Sequence, residues 1–319
     1  MNIESFRGDF DQVASLIQQA WAENDKQPLL YTSEFLRSLF EYPNADFSLA
    51  PTLYDGTKPI AFIAGFPRCL RVRNRKLRIV IGSFLSVSRE FKKRGYGIVL
   101  WSDLVKRVRA AGYDGMMNYC VEGEPMNGMI LGCCSRLKMP VEHAFSIHYL
   151  SRLLWPKGPG SVERNPDDRI VDAFMELAAP IANRAPLSRL WSRPEAEWQC
   201  SRRLGAIAVQ ERVGRRLGIL TGYMMQVADP KHTRCFLIED IFWGDLEREE
   251  RLQLVRRLES EAAAAGARLA VVPVLGYGDM EPLLSEGFRP SGRTVHAYFS
   301  NWSDHIALGR LDAMYLDVF

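Results

Sequence analysis

No apolar run in this sequence approaches the ~18 residues that would suggest a membrane helix. The opening stretch, MNIESFRGDFDQVASLIQQAW, carries acids in its first dozen residues and has no uninterrupted apolar core, so a signal peptide is not expected and the chain reads as soluble and cytoplasmic. Cysteine is scattered. Cys69, Cys120, Cys133, Cys134, Cys200 and Cys235 form no CxxC and no Cys/His cluster at zinc-ligand spacing, which points to reduced, buried thiols and to no metal. A large charge of one sign is also missing. The net charge of +3 gives no footing for nucleic acid by itself, and no transmembrane or strongly acidic class fits.

What is present is ordinary globular composition, 47% hydrophobic and 25% charged, in 319 residues, a length that favours two domains. The stretch WPKGPGSVERNPDD, residues 155–168, has three prolines, two glycines and no apolar periodicity. It reads as a linker between domains at 1–154 and 169–319. Residues 1–155 hold 20 Lys+Arg against 15 Asp+Glu, and the remainder 21 against 23, so an anionic ligand is expected on the N-terminal half.

Apolar spacing predicts the order strand, two helices, three strands, helix, strand, helix, strand in the first half, and a similar order in the second. Two copies at a period near 150 residues indicate a domain duplication rather than a solenoid. Between the strand KLRIVIGSFLSV and a helix with Trp101, Leu104, Val105 and Val108 on one stripe lies KKRGYG. Backbone amides from about Arg94 to Ile98 would be the unpaired donors of the first helical turn, and glycine admits a ligand close to the main chain. Lys92, Lys93 and Arg94 add charge, so the geometry suits a pyrophosphate. A plain tight turn is the alternative reading of these glycines. A dinucleotide fold would need a third glycine where Leu100 stands, and a Walker loop would need Gly-Lys-Ser/Thr.

In context, this stretch resembles the GNAT acyl-CoA N-acyltransferases, whose pattern is a strand ending in Val followed by Arg/Gln-x-x-Gly-x-Gly/Ala opening a helix. Val87 ends the strand, Phe91 fills an aromatic position, Lys92 replaces Arg/Gln, and Gly95 and Gly97 are the glycines. The resemblance implies an α/β fold with a mixed sheet, present as two tandem GNAT-like domains. It implies an acyl-CoA, acetyl-CoA by default, with pyrophosphate on Arg94, Gly95, Tyr96, Gly97 and Ile98. The pantetheine would run along Leu85, Ser86 and Val87, where a backbone amide polarises the thioester. The acceptor would be an amine of a small molecule or protein.

The proton-handling groups are less plain. The strand 77–88 contains no Asp or Glu, where the family often places its base. Glu122, sharing a strand face with Asn118 and Cys120, is the first candidate, ahead of Glu124, His143 and His148; its alternative is a solvated acid at a strand end. In the family's Asn-x-x-Ala-x-x-x-Tyr-x-x-x-Gly-Phe pattern, Asn127 matches the Asn, but Cys134 stands at the Tyr that serves as acid. Cys134 is either that acid or a packing residue, and Asn127 either touches cofactor or caps the helix. In the second copy Glu249 and Arg251 replace the glycines amid acids, so that copy is expected to keep the fold without the cofactor. Two rival functions stand beside the transferase: a non-catalytic acyl-CoA-binding or regulatory protein, and a tandem-GNAT transferase using aminoacyl-tRNA. The only hint of the latter is RCLRVRNRKLR, residues 68–78, whose arginines otherwise form a solvated hairpin face.

Overall fold

Alternating apolar side chains in Lys58–Val72 and Arg75–Val87 make two long strands that pair antiparallel from Ala61↔Val87 to Val72↔Arg75. This hairpin is the spine of the N-terminal half. A computed structural model describes residues 2–22, 29–155, 168–229, 231–303, 306–309 and 311–317. The expected linker at 155–168 thus lies almost wholly outside the described residues.

In chain order the elements are β1 (Asn2–Ser5), α1 (Phe10–Trp21), β2 (Leu29–Leu30), α2 (Ser33–Phe40), β3 (Pro51–Asp55), β4 (Lys58–Val72), β5 (Arg75–Val87), α3 (Tyr96–Ala110), β6 (Gly115–Val121), α4 (Pro125–Arg136) and β7 (Glu142–Leu153). Then follow α5 (Asp168–Arg184), β8 (Leu187–Arg189), α6 (Arg193–Glu197), β9 (Ala206–Val213), β10 (Arg216–Val227), β11 (Arg234–Phe242), α7 (Arg248–Ala264), β12 (Leu269–Val274), α8 (Glu281–Ser285), β13 (Arg289–Asn301) and β14 (Met314–Tyr315). Among the described residues, no helix is long and apolar enough to cross a membrane.

Two compact units result, but not with the expected limits. Met1–Ser146 and Thr294–Leu311 form the first, and Ile147–Arg293 and Asp312–Val318 the second. The reason is an exchange of closing strands. In the first unit β6 pairs antiparallel with Val295–Asn301 of β13, so its last strand comes from near the end of the chain. In the second, β12 pairs with His148–Leu153 of β7, the strand that follows α4. The boundary expected after residue 154 is therefore corrected to Ser146/Ile147, with a returning segment from Thr294.

In the first unit, α3 and α4 cover one sheet face through Leu100, Trp101, Leu104, Val105, Val108, Ile130 and Cys134, all buried. Each large apolar side chain so buried contributes about 1.5–3 kcal/mol. On the other face are α1 and α2, with an aromatic group in which Phe6 meets Phe62, Phe40 meets Phe66 and Tyr31 meets Phe84, at centroid separations of 5.4, 5.4 and 5.0 Å. Asp9 caps α1 at the Gln12 amide and Thr32 caps α2 at the Phe35 amide, as their residue types favour.

In the second unit, Leu252, Leu254, Val255, Leu258 and Ala262 of α7 form the buried stripe, and α7 packs on β9 and β10. The sequence does not announce the π turn Trp198–Arg202 that follows α6. It carries Gln199 and Arg203 into the interior, where Gln199 Nε2 donates to Glu239 Oε2 at 2.6 Å and Asp240 Oδ2 at 2.9 Å, and Arg203 Nη1 to Glu239 Oε2 at 2.6 Å.

Candidate acyl-CoA site

Parallel pairing of β5 with β6 lasts only from Ile79↔Gly115 to Gly82↔Asn118. Beyond that row β5 and β6 pair no further with each other among the described residues, and β5 carries a bulge against β4: Phe62 faces Ser86, but Ala64 faces Ser83. Within it, Phe84 sits at φ +64°, a left-handed conformation that a bulky residue rarely adopts. Ser88 N donates to Ile60 O at 2.8 Å, so antiparallel alternation turns Ser86 toward β4 and the Val87 main-chain groups toward the open edge. An extended chain with amides of its own finds there a strand edge to pair with.

The residues expected to meet a pyrophosphate lie at the end of this edge. Gly95, at φ +80°, is the N-cap of α3, a backbone state that would strain any side chain. Among the described residues no side chain caps the helix, and its first turn holds no acid. A Cβ on Gly97 would stand 3.7 Å from Val87 Cγ2, 3.8 Å from Leu85 Cδ2 and 3.8 Å from Met129 Sδ, filling the space between helix start, strand end and α4. Lys93 and Arg94 are exposed, Lys92 is half-buried, and the Arg94 guanidinium lies 5.2 Å from the Phe91 ring. Tyr96 and Ile98 pack at the edge of the core, as do Leu85 and Val87. The structure thus brings together Leu85, Ser86, Val87, Lys92, Lys93, Arg94, Gly95, Tyr96, Gly97 and Ile98. The Asn127 side chain lies outside the described residues.

Glu122 is exposed just past the end of β6, its amide donating to Thr294 O at 3.0 Å. Glu122 follows β6 four residues beyond Asn118, the last residue of β6 that pairs with β5. Asn118, on the same strand face, is buried and accepts from Trp101 Nε1 at 3.3 Å. Among the described residues, Ser86 Oγ and Asn118 Nδ2, both buried, have no hydrogen-bond partner, an uncommon state for buried polar atoms. Periodicity gave no warning of either.

Cys134 requires correction as the acid. It is fully buried beside Ile130, Cys133 and Met139, with Sγ 3.8 Å from Ser300 Oγ. Burial raises its pKa, and the Ser300 contact opposes this only in part. Ile130, Cys133 and Cys134 are at i, i+3 and i+4, the inward stripe of α4. It is a packing residue.

The basic hairpin is used within its own unit. Arg73 Nη2 donates to Leu308 O at 3.0 Å, Arg78 lies 4.7 Å from the Tyr113 ring, and Arg68, buried, lies 4.1 Å from the Tyr42 ring.

The second unit repeats the framework and closes it. β11 pairs with β12 only from Cys235↔Leu269 to Leu237↔Val271, and a bulge follows between Ile238 and Asp240. Here the Tyr277 hydroxyl occupies the free edge, accepting from Ile241 N at 3.1 Å and donating to Glu239 O at 3.3 Å. The start of α7 is also filled. Glu247 and Glu250 form a capping box, and Arg216 bridges both carboxylates at 2.8 and 2.5 Å.

Burial pushes the Asp240 carboxyl up to about 6, reinforced by Glu239 and opposed by hydrogen bonds from Thr221, Gln199 and Tyr315; burial pushes Glu195 up to about 7. Both folded values exceed the unfolded ones, so the native state binds more protons between them and stability falls as pH rises through each folded value. Thermal denaturation should therefore show a higher Tm at pH 5.5 than at pH 8. Asp240→Asn should flatten that slope, and a Tm that rises with pH over this window would contradict the assignment.

The family model for myristoyl-CoA:protein N-myristoyltransferase, N-terminal domain, matches residues 1–115. No curated protein matches in sequence. Among solved structures, Saccharomyces cerevisiae N-myristoyltransferase with bound myristoyl-CoA is similar at TM-score 0.74 and 15% identity, covering 94% of this chain and 82% of that one. A second structure of that yeast enzyme, with myristoyl-CoA and inhibitors, gives 0.72 and 15% over 99% and 86%. A GCN5-related N-acetyltransferase from Anabaena variabilis gives 0.55 and 12% over 93% and 72%. The chain has a mixed α/β fold built of two tandem GNAT-like domains.

Proposed function

We propose that the protein is an acyl-CoA-dependent N-acyltransferase whose donor site is the gap between β5 and β6. The observation that carries this reading is the uncapped, acid-free start of α3 at Gly95–Gly97, set at the end of an unpaired and bulged strand edge. A pyrophosphate fits the helix start, where amides and dipole favour an anion. The pantetheine amides pair along Leu85 to Val87, and an edge amide donates to the thioester oxygen as charge develops there. Glu122 accepts the proton of the attacking amine. Tyr277 and the carboxylates of α7 fill the corresponding places in the second unit, which argues against a second donor site there among the described residues.

The GNAT resemblance implies acetyl-CoA by default. The matching family description and the ligand in the similar yeast structures favour a long-chain acyl donor and a protein amine instead, and we adopt that finer reading here. A non-catalytic acyl-CoA-binding protein is the second reading, kept because Cys134, the position of the family's acid, is sealed in the core.

Thermal shift with CoA and with C2, C8 and C14 acyl-CoA tests the proposal, followed by thiol release with peptides bearing a free N-terminal amine. Stabilisation that grows with chain length, and thiol release only when peptide is added, are expected. Failure of every CoA species to stabilise the protein removes both readings. Tight binding without thiol release across a broad amine panel selects the second.

A further inference from the structure

Asn118 stands where β5 and β6 part. It is the last residue of β6 to pair with β5, opposite Gly82, and it is 3% exposed. An indole N–H can only donate, so the 3.3 Å contact from Trp101 Nε1 fixes which end of the carboxamide is oxygen. Oδ1 faces the indole and Nδ2 is turned away from it. The carboxamide lies over β5, since a Cβ built on Gly82 would stand 2.8 Å from Asn118 Oδ1. Only a residue without a side chain leaves it that room. Among the described residues Nδ2 meets no acceptor, and the other side chains close to Gly82, Met116 and Leu104, are apolar. Two N–H donors are thus held at the closed end of the gap, and buried amides seldom stay unpaired.

The length of the gap decides which part of an acyl-CoA arrives there. The space beside Gly97 is bounded by Val87 and Leu85, so a phosphate on the start of α3 lies next to Val87. From Val87 back to Gly82 the strand runs about 16 Å, at ~3.3 Å per residue. A pantetheine arm has about thirteen bonds between phosphorus and sulfur, which at ~1.2 Å of extended reach per bond is also about 16 Å. The thioester therefore falls beside Gly82 and Asn118. Its carbonyl oxygen accepts hydrogen bonds and gains negative charge as an amine adds.

We propose that the Asn118 carboxamide donates from Nδ2 to the thioester oxygen of the acyl donor, beside the main-chain donor of β5. The inference rests on the acyl-CoA reading and adds to it a side chain that the glycine motif does not contain. Asn118 is the group that touches the reacting carbonyl; Trp101 positions it, and Gly82 makes room for it. As the amine nitrogen bonds to the carbonyl carbon, the C=O electron pair moves onto oxygen, where the Nδ2 proton meets it. The pair returns as the C–S bond breaks, CoA leaves as thiolate, and the amine proton passes to Glu122. No proton leaves Asn118.

Calorimetry on the full chain tests this with tetradecanoyl-CoA and with S-tetradecyl-CoA, a thioether that keeps the CoA and the chain but lacks the carbonyl. Asn118→Leu removes the donor. Should it fail to fold, the double variant Asn118→Leu with Trp101→Phe takes its place, because replacing both partners of a buried hydrogen bond by apolar groups is close to neutral for stability. Affinity for the thioester should fall about 2- to 10-fold, the worth of one neutral hydrogen bond, while affinity for the thioether stays as in the parent. The carbonyl stretch of the bound, isotope-labelled thioester should move to higher frequency in the variant, a signature that destabilisation alone does not produce. Equal weakening of both ligands, or undiminished thioester binding, would overturn the role of Asn118 and leave the acyl-CoA reading standing. Failure of the parent chain to bind either compound would remove that reading and this inference with it.

Discussion

Gly97→Asp is expected to abolish stabilisation by acyl-CoA while leaving the free protein as stable as before, or slightly more so. Gly97 lies in the first turn of α3, where a carboxylate interacts well with the helix dipole and where an interior glycine is a poor helix former. Its Cβ meets Val87, Leu85 and Met129 only at ordinary contact distances, so the fold need not adjust. The same side chain then projects negative charge into the space read as the pyrophosphate cradle. At ligand concentrations near 100 times Kd, the parent gains about 2.7 kcal/mol from binding. For a chain of this size that is a Tm shift of several degrees, and the variant should lose nearly all of it. Retained ligand stabilisation in Gly97→Asp would move the phosphate site elsewhere. The choice of Gly97 over Gly95 matters, because at φ +80° any substitution of Gly95 mixes backbone strain with charge.

Glu122→Gln carries the second large effect. A positioned general base contributes about 10²–10⁴ to rate. The expected result is a fall of about 100-fold in kcat with little change in KM for acyl-CoA, since the carboxylate acts on the amine rather than on the donor. The defect should shrink as pH rises, because an α-amine with a pKa of about 7.7–8.0 increasingly arrives already deprotonated. A pH–rate profile of parent and variant measures both. Full activity in Glu122→Gln would make Glu122 the solvated strand-end acid that its exposure also permits.

Much of the proposed donor site is readable in the sequence because the chemistry it would serve needs special residues in a fixed order. Glycines at 95 and 97, basic residues before them, an apolar strand behind and a periodic helix ahead are each visible one at a time, and local geometry joins them. The order of elements in each half was legible for the same reason. Pairing was not. Glu142–Leu153 and Arg289–Asn301 are both strand-forming, and nothing in their alternation states which sheet each will complete. Cys134 was ambiguous because the family pattern marks the position as chemical, whereas the i, i+3, i+4 spacing of Ile130, Cys133 and Cys134 marks it as core; packing prevailed. The Phe84 bulge lacks the glycine that often signals one, and Tyr277 reaches its strand edge from a loop, so neither leaves a trace in periodicity.

The exchange of closing strands has a consequence for synthesis on the ribosome. β6 has no outer neighbour until Val295–Asn301 has emerged, so a nascent chain that has completed every apparent element of the N-terminal half still presents an unpaired strand edge. That half must wait for most of the polypeptide before its sheet is whole. Cutting the gene at the proline-rich stretch 155–168 would yield two pieces, each short of the strand it needs and holding the one the other lacks.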